Sequence, residues 1–219
     1  MTNKIAVITL GCSKNLVDSE RLMVMLSDVG YEVVDAATEA FLEADGWKGV
    51  VINTCGFIGD AKEESINEIL AWCQAKTDGR IDALFVMGCL SQRYASQLPA
   101  EIPEVDRWYG KTDWPALAVD LARRSPATAP YDRVITTPRH HAYIKIAEGC
   151  NRFCAFCAIP LITGRYKSRP IDEIIAEVRM LVSRGVREFN VIAQDLTNYG
   201  KDLYGKVEIA RLVDEMAAV

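Results

Sequence analysis

The sequence predicts an α/β protein: a doubly wound parallel sheet first, then a shorter β/α segment. Three observations carry this. Short β-branched runs alternate with longer segments of helical period, the central runs are apolar on both faces, and a proline-rich stretch past residue 124 breaks the rhythm.

The elements follow in order. "KIAVITL" (4 to 10) is a strand, Leu16 to Val29 an amphipathic helix, and "YEVVDA" (31 to 36) a second strand, which gives a βαβ rhythm. In that helix Leu22, Met25, Leu26 and Val29 recur at helical spacing, and Gly30 supplies a stop. "GVVINTC" (49 to 55) reads as a buried strand, followed by a helix whose start carries Asp60 and Glu63 as a capping box. "ALFVMGC" (83 to 89) is the next strand. A weaker strand near "RWYG" and a helix from Trp114 to Arg124 close the unit. Parallel strands joined by helices give an open α/β sheet. The first domain is therefore set at 1–124, a linker at 125–141 and a second domain at 142–219. In the second, "AYIKIAEG" is a strand, Pro170 to Arg184 a helix ended by Gly185, "REFNVIAQD" a strand and Val207 to Val219 a helix.

Composition narrows the function. With 219 residues, half of them hydrophobic, and a net charge of -5, the chain can bury a substantial core. It has no apolar run of the ~20 residues a membrane helix needs, and "MTNKIAVITLGC" lacks the basic segment and cleavage site of a secretory signal. A cytosolic protein with no membrane partner is expected. A mildly acidic chain carries no nucleic-acid coat, so direct DNA binding is not expected. The run "GRYKSRP" (Arg165, Lys167, Arg169) reads as a solvated loop, with an anion contact as the alternative. Seven cysteines in a reducing compartment stay as thiols, which points to core packing, metal ligation or catalysis.

The cysteines fall in three classes. Cys12, Cys55 and Cys89 each follow an apolar strand and each adjoins a glycine, at the sheet edge where such folds bind ligands. Soft thiolates converging there suit an iron–sulfur cluster or zinc. Cys73 continues the helical stripe of Ile66, Ile69 and Leu70 and reads as core. Cys150, Cys154 and Cys157 have the spacing C-x3-C-x2-C in a loop after a strand, so one turn can hold three corners of a cluster and leave the fourth iron open. Zinc competes, with His140 or His141 as a fourth ligand, although both read as linker residues facing water. Phe153 and Phe156 are placed to keep water off a redox cluster.

These residues resemble a known family. The C-x3-C-x2-C loop with an aromatic residue before its last cysteine is similar to radical S-adenosylmethionine enzymes, and the three dispersed cysteines ahead of it resemble the methylthiotransferases among them. "GCSKNLVDSE", "NTCGFIGDAKEESI", "IKIAEGCNRFCAFCAIP" and "QDLTNYGKDLYG" resemble the branch that modifies an aspartate of the twelfth small-subunit ribosomal protein. A sister branch modifies an adenosine of transfer RNA. The resemblance implies two 4Fe-4S clusters, one on Cys150, Cys154 and Cys157 and an auxiliary one on Cys12, Cys55 and Cys89. The first would bind S-adenosylmethionine and, fed by an electron donor, release a 5′-deoxyadenosyl radical that attacks the β-carbon of the target aspartate. The second would carry the sulfur. It also implies that Phe156, through its backbone, and Gln194 lie beside S-adenosylmethionine. The resemblance further implies a partial TIM barrel of about six β/α units and a terminal TRAM domain. Two units are legible, so a truncated radical S-adenosylmethionine domain is expected, inactive by itself, with an exposed apolar edge that favours dimers or poor solubility. A non-catalytic metal or electron-transfer module is the reading from outside this class.

Overall fold

A computed structural model describes residues 3–36, 46–122, 125–129 and 131–219. The chain divides into two compact units, Met1–Thr128 and Ala129–Val219. Arg124, the predicted end of the first domain's last helix, lies outside the described residues.

The first unit runs β1 (Lys4–Thr9), α1 (Ser13–Asp28), β2 (Glu32–Asp35), β3 (Gly49–Thr54), α2 (Gly59–Thr77), β4 (Leu84–Gly88), α3 (Cys89–Arg93), α4 (Leu98–Glu101), β5 (Arg107–Trp108) and α5 (Trp114–Ala122). Its strands form one parallel sheet in the order β2-β1-β3-β4-β5. β3 and β4 are buried along their whole length, as uninterrupted apolar runs require when helices cover both faces, whereas β2 and β5 are short and partly exposed at the edges. Ile8, Val50, Ile52, Val86, Ile69 and Trp72 meet in the core. This strand order reverses direction between β1 and β3, and such a switch point opens a crevice at the carboxyl ends of the strands.

Two local expectations fail in α2. The helix begins at Gly59, with extended Ile58 as N-cap and no side-chain cap. Asp60 already sits inside the first turn, where its carboxylate acts on the helix dipole and cannot form a capping box with Glu63. Leu70, assigned to the buried stripe, faces solvent, while Ile69, Trp72 and Cys73 face the core.

The second unit runs β6 (His141–Lys145), β7 (Ala147–Glu148), α6 (Ile159–Thr163), β8 (Lys167–Ser168), α7 (Ile171–Ser183), β9 (Glu188–Ile192), a 3-10 turn (Leu196–Asn198), α8 (Lys201–Tyr204) and α9 (Ile209–Ala217). β6 and β9 pair in parallel from His141 against Glu188 to Lys145 against Ile192, with α7 as the crossover. Ile144, Ile174, Val178, Leu181, Tyr199 and Leu212 fill the space between them and the helices.

Three expectations are corrected here. The strand predicted over 142–149 is two elements: after Lys145 the chain leaves β9, and β7 pairs instead with β8 in an antiparallel ladder. His141 is not a linker residue but the first residue of β6, its ring edge-on to Tyr143 and its Nε2 2.6 Å from Asn190 Nδ2. Arg169 leaves the solvated run "GRYKSRP": its guanidinium reaches Glu173 and Glu177, each at 2.7 Å, and the carbonyl of Lys145 at 2.6 Å. Fully buried Glu177 also pairs with buried Arg133 at 2.8 Å. Charges removed from water persist only where partners surround them, and this network supplies those partners.

Candidate metal centres

In the first unit three neighbouring strands end in cysteines. β1 leads to Cys12, β3 to Cys55 and β4 to Cys89, and the register sets Thr9 beside Asn53 and Thr54 beside Gly88. All three therefore leave the sheet at its carboxyl edge, beside the switch point. Cys12 is exposed, Cys55 buried and Cys89 half-buried. Glycines make the approach possible. Gly11 holds φ +87°, and a Cβ there would stand 2.5 Å from Cys55 Cβ and 2.8 Å from its Sγ. Gly88 holds φ +107°, and a Cβ would stand 2.5 Å from the Thr54 carbonyl oxygen. Both positions exclude other residues twice over, by conformation and by space. Ser65 braces the second loop: its hydroxyl accepts from the Cys55 N–H at 3.0 Å and donates to the Cys55 carbonyl at 2.9 Å. Arg93 donates to the Gly56 carbonyl at 2.9 Å. Cys12 is also the N-cap of the sixteen-residue α1, so the positive end of a helix dipole faces the group it would hold.

In the second unit the β7–β8 ladder closes the base of the loop that carries Cys150, Cys154 and Cys157. Inside it the Cys150 N–H donates to Gly164 O at 3.2 Å, the Tyr166 N–H to Asn151 Oδ1 at 3.1 Å, and the Cys157 N–H to Cys154 O at 3.0 Å. Cys150 is buried, Cys157 half-buried and Cys154 exposed. The Arg152 N–H points at Cys150 Sγ from 3.4 Å, the kind of donor that stabilises a metal-bound thiolate. Phe153 takes a left-handed φ of 48° at the tip. It and Phe156 face solvent, so neither ring shields the thiols as the sequence suggested.

Gln194 lies just past β9 and donates to Glu148 Oε2 at 3.3 Å, which brings it to the strand end from which the cysteine loop leaves; its Oε1 is buried without a partner. Lys145 holds the other oxygen of Glu148 at 2.7 Å. Arg152 and Asp195 pair at 2.7 Å, and the Arg152 guanidinium holds the Asp195 carboxyl well below the usual carboxylate range. The sequence analysis missed Glu148, Ser65, Arg152 and Asp195. Glu148, two residues before the first loop cysteine, carried the clearest signal.

Among the described residues no three His, Cys, Asp or Glu side chains stand close enough to grip a single metal ion. One zinc needs every sulfur about 2.3 Å from a common centre. A four-iron cube offers each thiolate its own iron and accepts a wider spacing. The chemistry of the donor set, soft thiols with the Arg152 N–H aimed at Cys150 Sγ, fits such a group.

Comparison with known proteins agrees with this division. Residues 4–110 match a family described as uncharacterized protein family UPF0004, and residues 144–217 match the radical SAM superfamily. The chain is 54% identical over 217 residues to a protein of Phocaeicola vulgatus named ribosomal protein uS12 methylthiotransferase RimO, covering 99% of this chain and 49% of that protein. A protein of the same name from Porphyromonas gingivalis is 54% identical, with 99% and 49% covered, and one from Chlorobium phaeovibrioides 46%, with 94% and 46% covered. The chain thus spans about half the length of the curated relatives it matches. Among solved structures, the radical S-adenosylmethionine methyltransferase TsrM of Kitasatospora setae, described with cobalamin and a [4Fe-4S] cluster bound, aligns with a TM-score of 0.62 at 15% identity, covering 98% of this chain and 52% of that one, a likeness of fold. The fold and the cysteine sites thus define a radical S-adenosylmethionine protein with an added amino-terminal cysteine-bearing domain. The chain belongs to the methylthiotransferase family and within it resembles RimO.

Proposed function

We propose that this chain carries the two cluster sites and part of the S-adenosylmethionine site of a cytosolic methylthiotransferase acting on an aspartate of ribosomal protein uS12. The observation that supports it most is that three cysteines follow neighbouring strands out of one sheet edge, in a chain whose second unit carries a separate three-cysteine loop. The loop by itself would serve radical S-adenosylmethionine chemistry in general; the second trio is what favours a sulfur-transferring reading. In this reading Cys150, Cys154 and Cys157 hold one cluster and Cys12, Cys55 and Cys89 the other. When bound, the first supplies an electron to cleave S-adenosylmethionine and the second supplies the sulfur. Gln194 and the Phe156 backbone orient S-adenosylmethionine, with Glu148 fixing the Gln194 amide. An external reductant completes the system, and neither a membrane nor DNA is a partner. Among the described residues no helix is long and apolar enough to cross a membrane.

Anaerobic reconstitution with iron and sulfide tests this reading. About eight irons per chain are expected, falling to about four in Cys12→Ser and in Cys150→Ser. With S-adenosylmethionine and dithionite, a protein of the relatives' full length that contains this chain is expected to place the mass gain on purified uS12. A gain on a transfer-RNA nucleoside would move the chain to the sister branch. One zinc without visible absorbance would end the proposal.

A further inference from the structure

The three strand-end cysteines have a common neighbour that is not a cysteine. Asn15 lies in the first turn of α1 and is fully buried. Its Nδ2 donates to the Leu10 carbonyl at 2.9 Å and to the Thr54 carbonyl at 3.0 Å. Leu10 closes the run that leads to Cys12, and Thr54 immediately precedes Cys55. On the other side of the same amide the protonated Cys89 thiol donates to Asn15 Oδ1 at 3.8 Å, a contact that a metal-bound thiolate gives up. Two carbonyl acceptors fix which end of the amide carries the hydrogens, so the oxygen must face the sulfur. The Asn15 backbone is itself held: Asn53 Nδ2 donates to its carbonyl at 2.9 Å and to Ser19 Oγ at 3.0 Å.

We infer that Asn15 is the positioning residue of the amino-terminal cluster, the side chain that ties together, beside Cys89, the two strand ends that lead to Cys12 and Cys55. This rests on the proposal that those cysteines hold a cluster. Neighbouring strands already order the backbone up to Thr9, Thr54 and Gly88. Beyond those residues the ladder stops, and the amide of Asn15 takes its place. No aliphatic side chain can do this, because none offers donors to two strand ends. Serine is too short, and aspartate presents oxygen where the two carbonyls need hydrogen.

The test isolates this site by carrying Cys150→Ala, Cys154→Ala and Cys157→Ala together in the whole chain. The parent of the series is expected to take up about four irons on reconstitution. Three readouts follow: iron per chain, the electron paramagnetic resonance spectrum after reduction, and the rate of iron release to a chelator. Asn15→Ala and Asn15→Asp are expected to lower iron content, shift the spectrum and release iron about ten-fold faster. Ser19→Ala, which disturbs the same buried network without touching a cysteine loop, is expected to keep the parent's spectrum and release rate. An Asn15→Ala protein with the parent's spectrum and release rate would overturn the inference. So would equal effects in Ser19→Ala, or loss of the fold in both Asn15 variants, since either would make the residue a general brace of the unit. A parent that takes up no more iron than its Cys12→Ala derivative would instead refute the cluster site itself.

Discussion

Cys73 and the other six thiols differ in surroundings more than in chemistry. Burial pushes the Cys73 thiol up, with Glu104 adding to the shift. A raised thiol favours folding fully below its unfolded value, and that contribution is lost as pH climbs through the folded value. Cys73→Ala should therefore flatten the loss of stability measured by urea denaturation above about pH 8.5. Native alkylation read by mass spectrometry should label exposed Cys12 and Cys154 first and Cys73 last; early labelling of Cys73 would contradict its place in the core. Glu177 is the second residue on which much rests, since Arg133 and Arg169 both depend on it. Glu177→Ala should cost about 3–5 kcal/mol by removing the buried anion that Arg133 and Arg169 share, seen as a lower urea midpoint, whereas an exposed glutamate would cost almost nothing. The cysteines proposed as ligands stood out in the sequence because clustered thiols and thiols after apolar strands are chemically conspicuous. Glu177 and Asn15 were not: each is one polar residue in a helical run, and its partners arrive from distant segments.

Among the elements, the sheet was readable because its central strands β3 and β4 are apolar on both faces and the long helices repeat their own period. Pairs of two-residue strands have no period to read, so the β7–β8 ladder, which closes the cysteine loop, was missed. The cap of α2 was misassigned because local sequence offers several acids, while the approach of the chain through extended Ile58 decides where the first turn begins. Gly88 shows how narrowly the end of β4 is specified. Gly88→Ala should cost at least about 1 kcal/mol from its φ alone, with the clash against Thr54 added. A calorimetric melt is the check, and an unchanged transition would mean that the strand end has room to relax.

For the molecule as a whole, each unit has its own core and its own cysteine trio. Their spectra should add: the absorption of the Cys150→Ala chain and that of the Cys12→Ala chain, both reconstituted, should sum to that of the unaltered chain, and a large residual would show that one site alters the other. The division between the units falls at Thr128, within the proline-bearing stretch, whereas the buried ion network that anchors Arg133 to α7 left no mark in the sequence, because its charges resemble any solvated surface.

The parallel register of β1, β3 and β4 also dictates a timetable. Cys150, Cys154 and Cys157 fall within eight residues of one another, so their loop can gather metal as soon as it leaves the ribosome. Cys12, Cys55 and Cys89 become neighbours only after strands from distant parts of the chain have docked side by side, the slow and entropically costly part of building such a sheet. If the proposed ligand sets hold, the amino-terminal centre can fill only after the sheet has formed, whereas the loop of the second unit need not wait for it.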